Sequence, residues 1–191
     1  MTTIRNMKLL EELSLTPAIS GFENDIREII SRELESCVDE IETDDMGNLI
    51  STKKGEEGAP TVMLASHMDE IGLMVRYIDD NGYIKFSTIG GINDQMLMNQ
   101  TVTIHSSVGE DVIGVIGSKP PHVIKPEEKN KVVNYDSMFI DIGAKSKEEA
   151  LQYVSLGEVA TFKSEFCDYG DGLFMGRAVD DRVGCAVLLK L

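Results

Sequence analysis

Two short stretches of this sequence carry side chains whose types and spacing could hold a metal ion. In His67-Met68-Asp69-Glu70 a histidine and an aspartate stand two residues apart. On an extended strand such residues share one face at roughly 7 Å, so an imidazole can bind a metal while the carboxylate steadies it. The spacing alone is weak, because a histidine at a strand end more often makes a structural hydrogen bond. Glu70 strengthens the functional reading, since a carboxylate in an apolar setting is costly without a partner. In Val179-Asp180-Asp181-Arg182 two carboxylates open what reads as a helix. One reading is structural: the first aspartate caps the helix and the second favours the positive end of its dipole. The other is chemical: one aspartate, ionised at pH 7 and offering two oxygens, bridges two metal ions. Residue types and spacing leave both readings open.

Other candidates keep plainer readings. His105 ends the alternating run Val102-Thr103-Ile104-His105 and is expected on a solvated strand face. His122 lies in the charged loop from Lys119 to Asn134. Cys167 and Cys185 read as small apolar residues, with no histidine close in sequence to activate either. The ten methionines, Met96 and Met98 among them, read as gap-fillers in a core or interface. Asp168 to Gly172 lacks the alternating carboxylates and closing Glu of a calcium loop, and reads as a turn.

The elements that must position these groups follow from hydrophobic period. Ile4, Met7, Leu10 and Leu13 form a helical stripe closed by Pro17. Ser20-Gly21-Phe22-Glu23 has the spacing of a capping box, opening a helix with Ile26, Ile29, Ile30, Leu34 and Cys37 on one face. From about residue 38 the period becomes 2, with a turn at Met46-Gly47-Asn48. Thr61 to Ser66 is a continuous apolar run, as expected of a strand covered on both faces in a mostly parallel sheet. His67 would then sit at the strand's C-terminal end, where open α/β sheets place ligands. After Gly72 come short β-like runs at 73–78, 83–88, 101–106, 111–117 and 137–142, divided by Gly-rich turns. A short helix over 146–154, strands over 159–166 and 173–179, and a final helix from Asp180 complete the series. That last helix and the 61–66 strand both lack neighbours in the sequence, so the α/β domain is expected to be incomplete.

Composition bounds the partners. Of 191 residues, 42% are apolar, and 18 Lys+Arg against 33 Asp+Glu give a net charge of −15. Nucleic acid and anionic membrane both reward a basic patch, so neither is expected as a partner. No apolar run approaches the ~18–20 residues of a membrane span, and the start develops no signal-peptide apolar region. Three well-separated cysteines are odd in number and fit a reducing compartment, so a cytoplasmic location is expected.

Ser-Gly-Phe-Glu (20–23), Ala-Ser-His-Met-Asp-Glu-Ile-Gly (65–72), Lys-Pro-Pro-His (119–122) and Gly-Arg-Ala-Val-Asp-Asp-Arg-Val-Gly (176–184) come in a telling order. They closely resemble the co-catalytic metallo-aminopeptidases of the M42 family, also called tetrahedral or glutamyl-aminopeptidase-like enzymes, along the whole chain. The resemblance implies an α/β catalytic domain, a phosphorylase/hydrolase-like mixed sheet with helices on both faces, incomplete here. A small β-rich, barrel-like dimerisation domain would interrupt it. The implied boundaries are 1–71 and 165–191 for the catalytic domain and 72–164 for the insertion. His67 matches the family's first metal-ligand histidine, Asp69 the catalytic-site aspartate that orients it, and Asp180 the carboxylate bridging two ions. Asp181 and Arg182 would support the motif, and the bond after Asp180 is expected to be cis. The implied cofactors are two divalent metal ions, zinc or cobalt first and manganese next. The implied substrates are short peptides, trimmed from the N-terminus, and the implied assembly is a homo-oligomer of dimers, a dodecamer in the family. The family's general base and remaining ligands belong after the Asp-Asp helix, so the isolated chain is expected to be inactive. The rival reading is a non-catalytic truncated homologue that self-associates or pairs with a full-length relative.

Overall fold

The computed structural model describes residues 2–119 and 132–191, with side chains from Met7 onward. His122 and most of the Lys119–His122 motif therefore lie outside the described residues. The chain divides into two compact units, Met1–Glu70 with Ser164–Leu191, and Ile71–Lys163.

The first unit is built on helices. Its leucine stripe folds as α1 (Thr2–Leu15), which ends as Pro17 approaches. Helix α2 (Asn24–Leu34) buries Ile26 and Ile30 and leaves its charged residues outside. With Leu9, Leu13, Ala18 and Cys185 these side chains make one apolar cluster. The period-2 stretch forms the antiparallel hairpin β1 (Glu40–Thr43) and β2 (Leu49–Thr52), Glu40 opposite Thr52. Its turn is fixed by the Asp44 carboxylate, which accepts the Met46 and Asn48 N–H groups at 3.0 and 2.8 Å. The Asp168–Gly172 stretch is not a simple turn: β9 (Cys167–Gly170) and β10 (Leu173–Met175) pair as a second hairpin around it. Helix α4 (Val179–Leu188) closes the unit, its Ala186 and the Leu189 that follows it packing on the apolar cluster.

Two expectations for this unit are corrected. Thr61–Ser66 is in no strand, and Val62, Met63 and Leu64 are 74%, 87% and 57% exposed rather than covered on both faces. An apolar sequence cannot make a strand without ladder partners, and among the described residues none pairs with it. What holds the chain here is a contact of Ser66 Oγ with Cys185 Sγ at 3.2 Å and, four residues further on, a parallel bridge of Ile19 with Glu70. Among the described residues, then, the strands of this unit are two hairpins, not one mixed sheet.

The second unit is a closed antiparallel barrel. Strands β3 (Gly72–Ile78), β4 (Ile84–Ile89), β5 (Thr101–His105), β6 (Val112–Gly117), β7 (Phe139–Asp141) and β8 (Val159–Phe162) run in the order β3-β4-β7-β6-β5-β8. Alternation fills the interior, with Val75, Phe86, Val102, Ile104, Ile116 and Ile140 inward. Gly114 lets β6 and β7 close, because a Cβ there would stand 2.3 Å from Ile140 Cγ2. A short helix, α3 (Lys147–Ala150), is capped by Ser146, which accepts from Glu149 N–H. Met138 fills the core and Met98 packs against it, whereas Met96 is 64% exposed.

Candidate metal centre

The bridge between Ile19 and Glu70 sets the register of the site. Glu70 N–H donates to Ala18 O at 2.8 Å, which lays the 18–20 segment beside Asp69. Two residues back, His67 Nδ1 lies 3.0 Å from Asp69 Oδ1, and its Nε2 lies 3.1 Å from Asp180 Oδ1. His67 and Asp180 are 113 residues apart in sequence. Each ring nitrogen thus faces a carboxylate oxygen, and in the tautomer that donates Nδ1–H to Asp69 the Nε2 lone pair is left on the Asp180 side. The Asp180 side chain is 97% exposed.

The backbone around Asp180 is not helical. Ala178 sits at φ 53°, Asp180 at φ −89°, ψ 106°, and the Asp180–Asp181 peptide is cis. Capping falls to Asp181, whose Oδ1 accepts the Gly184 N–H at 3.1 Å. A Cβ at residue 184 would lie 2.4 Å from that oxygen, so any larger residue there would push the capping carboxylate aside.

Arg182 is fully buried and ties three segments together. Its Nη1 donates to Leu13 O and Thr16 O at the end of α1, its Nε to Met68 O at 3.0 Å, and its Nη2 to Glu70 Oε1 at 3.3 Å. Glu70, nearly as buried, is also paired through Oε2 with Arg177 Nε at 2.9 Å. Arg177 Nη2 in turn donates to Leu15 O at 2.7 Å. Cations at the last carbonyls of a helix are favourable, and here they also join α1 to both metal-candidate stretches. Burial pulls the Arg182 pKa down, with the charge of Glu70 opposing it. Cys185 lies below His67, donating to His67 O at 3.3 Å, and burial pushes its thiol pKa up.

Burial pulls the His67 pKa down, but the hydrogen bond its protonated ring donates to Asp180 and the charge of Asp69 outweigh that, so its pKa is raised from the usual 6.5. A folded-state pKa above the unfolded value means protonated His67 stabilises the fold. That stabilisation is fully present below about pH 6.5 and is lost as pH rises through the raised value. Metal binding needs the neutral ring and has the opposite slope. In chelator, the melting temperature of the wild type should therefore exceed that of His67→Gln most at about pH 5.5 and least at about pH 8.5. A gap that widens with rising pH would contradict this.

The structure thus brings together His67, Asp69 and Asp180, with Asp181 capping α4 and Arg182 buried behind them. Among the described residues no group of three or more His, Cys, Asp or Glu side chains could enclose an ion. Asp69 turns its oxygens to His67 and Ser20, not toward Nε2. His105 stands apart and is not simply solvated: Nδ1 lies 2.8 Å from Asp111 Oδ2 and Nε2 2.9 Å from Thr161 Oγ1. Sequence reasoning missed Arg177 as a partner of Glu70, and it misread Ser20. The Ser20 hydroxyl caps nothing; α2 has no side-chain cap, and Ser20 Oγ donates to Asp69 Oδ2.

The fold is that of the TET aminopeptidases. A TET aminopeptidase from a marine sediment Thaumarchaeota archaeon superposes with a TM-score of 0.93 at 37% identity, over 100% of this chain and 53% of that one. The TET1 peptidase of Pyrococcus horikoshii, which can assemble into a tetrahedron or a large octahedral shell, gives 0.82 at 37%, over 97% and 55%. Residues 47–191 match the M42 glutamyl aminopeptidase family, and the chain belongs to it. The lysyl aminopeptidase of Pyrococcus furiosus is 35% identical over 179 residues, 92% of this chain and 51% of that protein. The chain thus spans about half the length of the curated relatives it matches. Among the described residues no helix is long and apolar enough to cross a membrane.

Proposed function

We propose that this chain carries the His67 and Asp180 side of a dinuclear metal site in a cytoplasmic aminopeptidase that removes N-terminal residues from short peptides. The observation that carries the reading is the 3.1 Å approach of His67 Nε2 to Asp180 Oδ1. Two donors at their usual bond lengths on one tetrahedral ion stand about 3.3 Å apart, so these atoms need little movement to share one. Imidazole and carboxylate suit zinc, cobalt or manganese about equally. The residues that would hold metal are His67 and Asp180, the latter as bridge. Bound divalent ions would supply Lewis-acid polarisation of the scissile carbonyl and activation of water. Asp69 fixes the imidazole tautomer, Asp181 caps the helix that follows Asp180, and Arg182 with Glu70 holds both segments in place. In this reading the general base and remaining ligands come from the part of the relatives' length that this chain does not span. The barrel unit serves association, consistent with the shells formed by the TET1 relative, and leaves Ile113 and Val115 exposed on β6.

The test is hydrolysis of short peptides and aminoacyl anilides with zinc or cobalt present. Negligible turnover is expected from the 191-residue chain alone, and chelator-sensitive release of N-terminal residues from the native polypeptide that carries it. Robust turnover by the pure chain, or turnover indifferent to chelator, would sink the reading.

A further inference from the structure

Ser20 is placed where its sequence spacing gives no reason to expect it. Its neighbour Ile19 bridges to Glu70, and the chain then turns sharply away from Asp69 at Gly21, with φ 90°. Phe22 N–H donates to Ile19 O at 2.8 Å, and Gly21 N–H to Glu23 Oε1 at 2.6 Å, closing that turn. A Cβ at Gly21 would meet nothing within 4 Å, so glycine serves the backbone conformation and not a close approach. The result is a hydroxyl delivered onto Asp69 Oδ2, on the oxygen that His67 does not use.

We propose that Ser20 is a positioning residue for His67: by holding Asp69 Oδ2 it fixes the carboxylate that presents Oδ1 to His67 Nδ1, and so keeps Nε2 directed at Asp180. A carboxylate engaged at one oxygen can pivot about its broad terminal torsion. Donors on both oxygens, from segments 49 and 2 residues away, remove that freedom. The Asp69 side chain is 34% exposed, so water would otherwise compete for Oδ2. The positioning matters for chemistry only if His67 is a ligand, and to that extent it rests on the function proposed above.

The test is nitrogen NMR of the imidazoles in the 191-residue chain, in chelator at about pH 9, well above the usual imidazole range. With three histidines in the sequence, assignment is short work. In the wild type His67 should hold its proton on Nδ1. Ser20→Ala should move the ring toward the Nε2–H tautomer, in the direction set by Asp69→Asn, and Ser20→Thr should restore it. An unmoved tautomer in Ser20→Ala, or no rescue by Ser20→Thr, overturns the proposal. A merely structural serine would change stability and leave the tautomer alone. Cobalt titration is the second readout. Residues bonded to a metal ligand typically cost 10–100-fold in affinity, so Ser20, one bond further out, should cost about 3–10-fold. If wild-type chain ignores cobalt while the tautomer responds, the metal reading fails and the positioning stands. If cobalt binds and the tautomer does not respond, the positioning fails alone.

Discussion

Arg182→Met is expected to destabilise the first unit by about 3–5 kcal/mol, the cost of removing one partner from a buried ion pair. The guanidinium serves four acceptors on two segments, 13–16 and 68–70, that are remote from its own, and it is fully buried. Its loss orphans the Leu13, Thr16 and Met68 carbonyls and leaves Glu70 with Arg177 as its remaining charge partner. Stranded buried acceptors cost about 1–3 kcal/mol each when water cannot reach them. Against the 5–15 kcal/mol that holds a typical domain, the change is a large share. Arg182→Lys should recover less than half, because one ammonium cannot span the positions a planar fork reaches. Urea unfolding reads the effect, and a loss below about 1 kcal/mol would show the network to be dispensable. Glu70→Gln combined with Arg182→Met should cost less than the two changes summed, since the second removes a charge the first has stranded. Arg182 lies two residues after Asp180, and Met68 adjoins His67. The same variant should therefore blunt the response to metal without touching a ligand.

How far the sequence discloses this arrangement depends on whether the relevant contacts are local. The barrel strands are legible because alternation and glycine turns act over a few residues; Val102 and Ile104 face inward as their period requires. Helices α1 and α2 follow from their stripes for the same reason. Thr61–Ser66 shows the limit. Its composition is that of a buried strand, but composition cannot supply a ladder, and the residues stand exposed. Ser20 shows another limit. A serine three residues before a glutamate has the spacing of a cap, and only the Ile19–Glu70 bridge, 51 positions apart, redirects its hydroxyl to Asp69. Glu70 was legible as a carboxylate needing a partner, and Arg182 as a support for its motif. That the two meet, with Arg177 on the far side, is a long-range fact that no spacing encodes. His67 and Asp180 are intermediate: each motif is visible locally, while their meeting depends on the chain returning after the barrel.

That meeting predicts a saturating pattern of metal loss. Millimolar zinc or cobalt should raise the melting temperature of the wild-type chain, since a ligand that binds only the folded state stabilises it by mass action. His67→Ala and Asp180→Ala should each abolish most of that rise, because either change leaves a single donor where two stood 3.1 Å apart. Asp180→Asn keeps one carbonyl oxygen and loses the charge, so it should retain a small response. Asp69→Asn keeps both proposed ligands and should weaken binding about 10–100-fold, the usual cost of losing the group that orients a ligating histidine. The double variant His67→Ala with Asp180→Ala decides whether the two donors act on one ion. If they share it, the second substitution has nothing left to remove, and the double variant responds to metal like either single one. If the losses add instead, His67 and Asp180 bind separate ions and the shared site is wrong. The metal-free melting temperatures supply the control. Asp180 is 97% exposed and its contact with His67 is charged only when the ring is protonated. Above about pH 8, Asp180→Ala should therefore leave the chelated protein nearly as stable as the wild type, which separates loss of a ligand from loss of the fold.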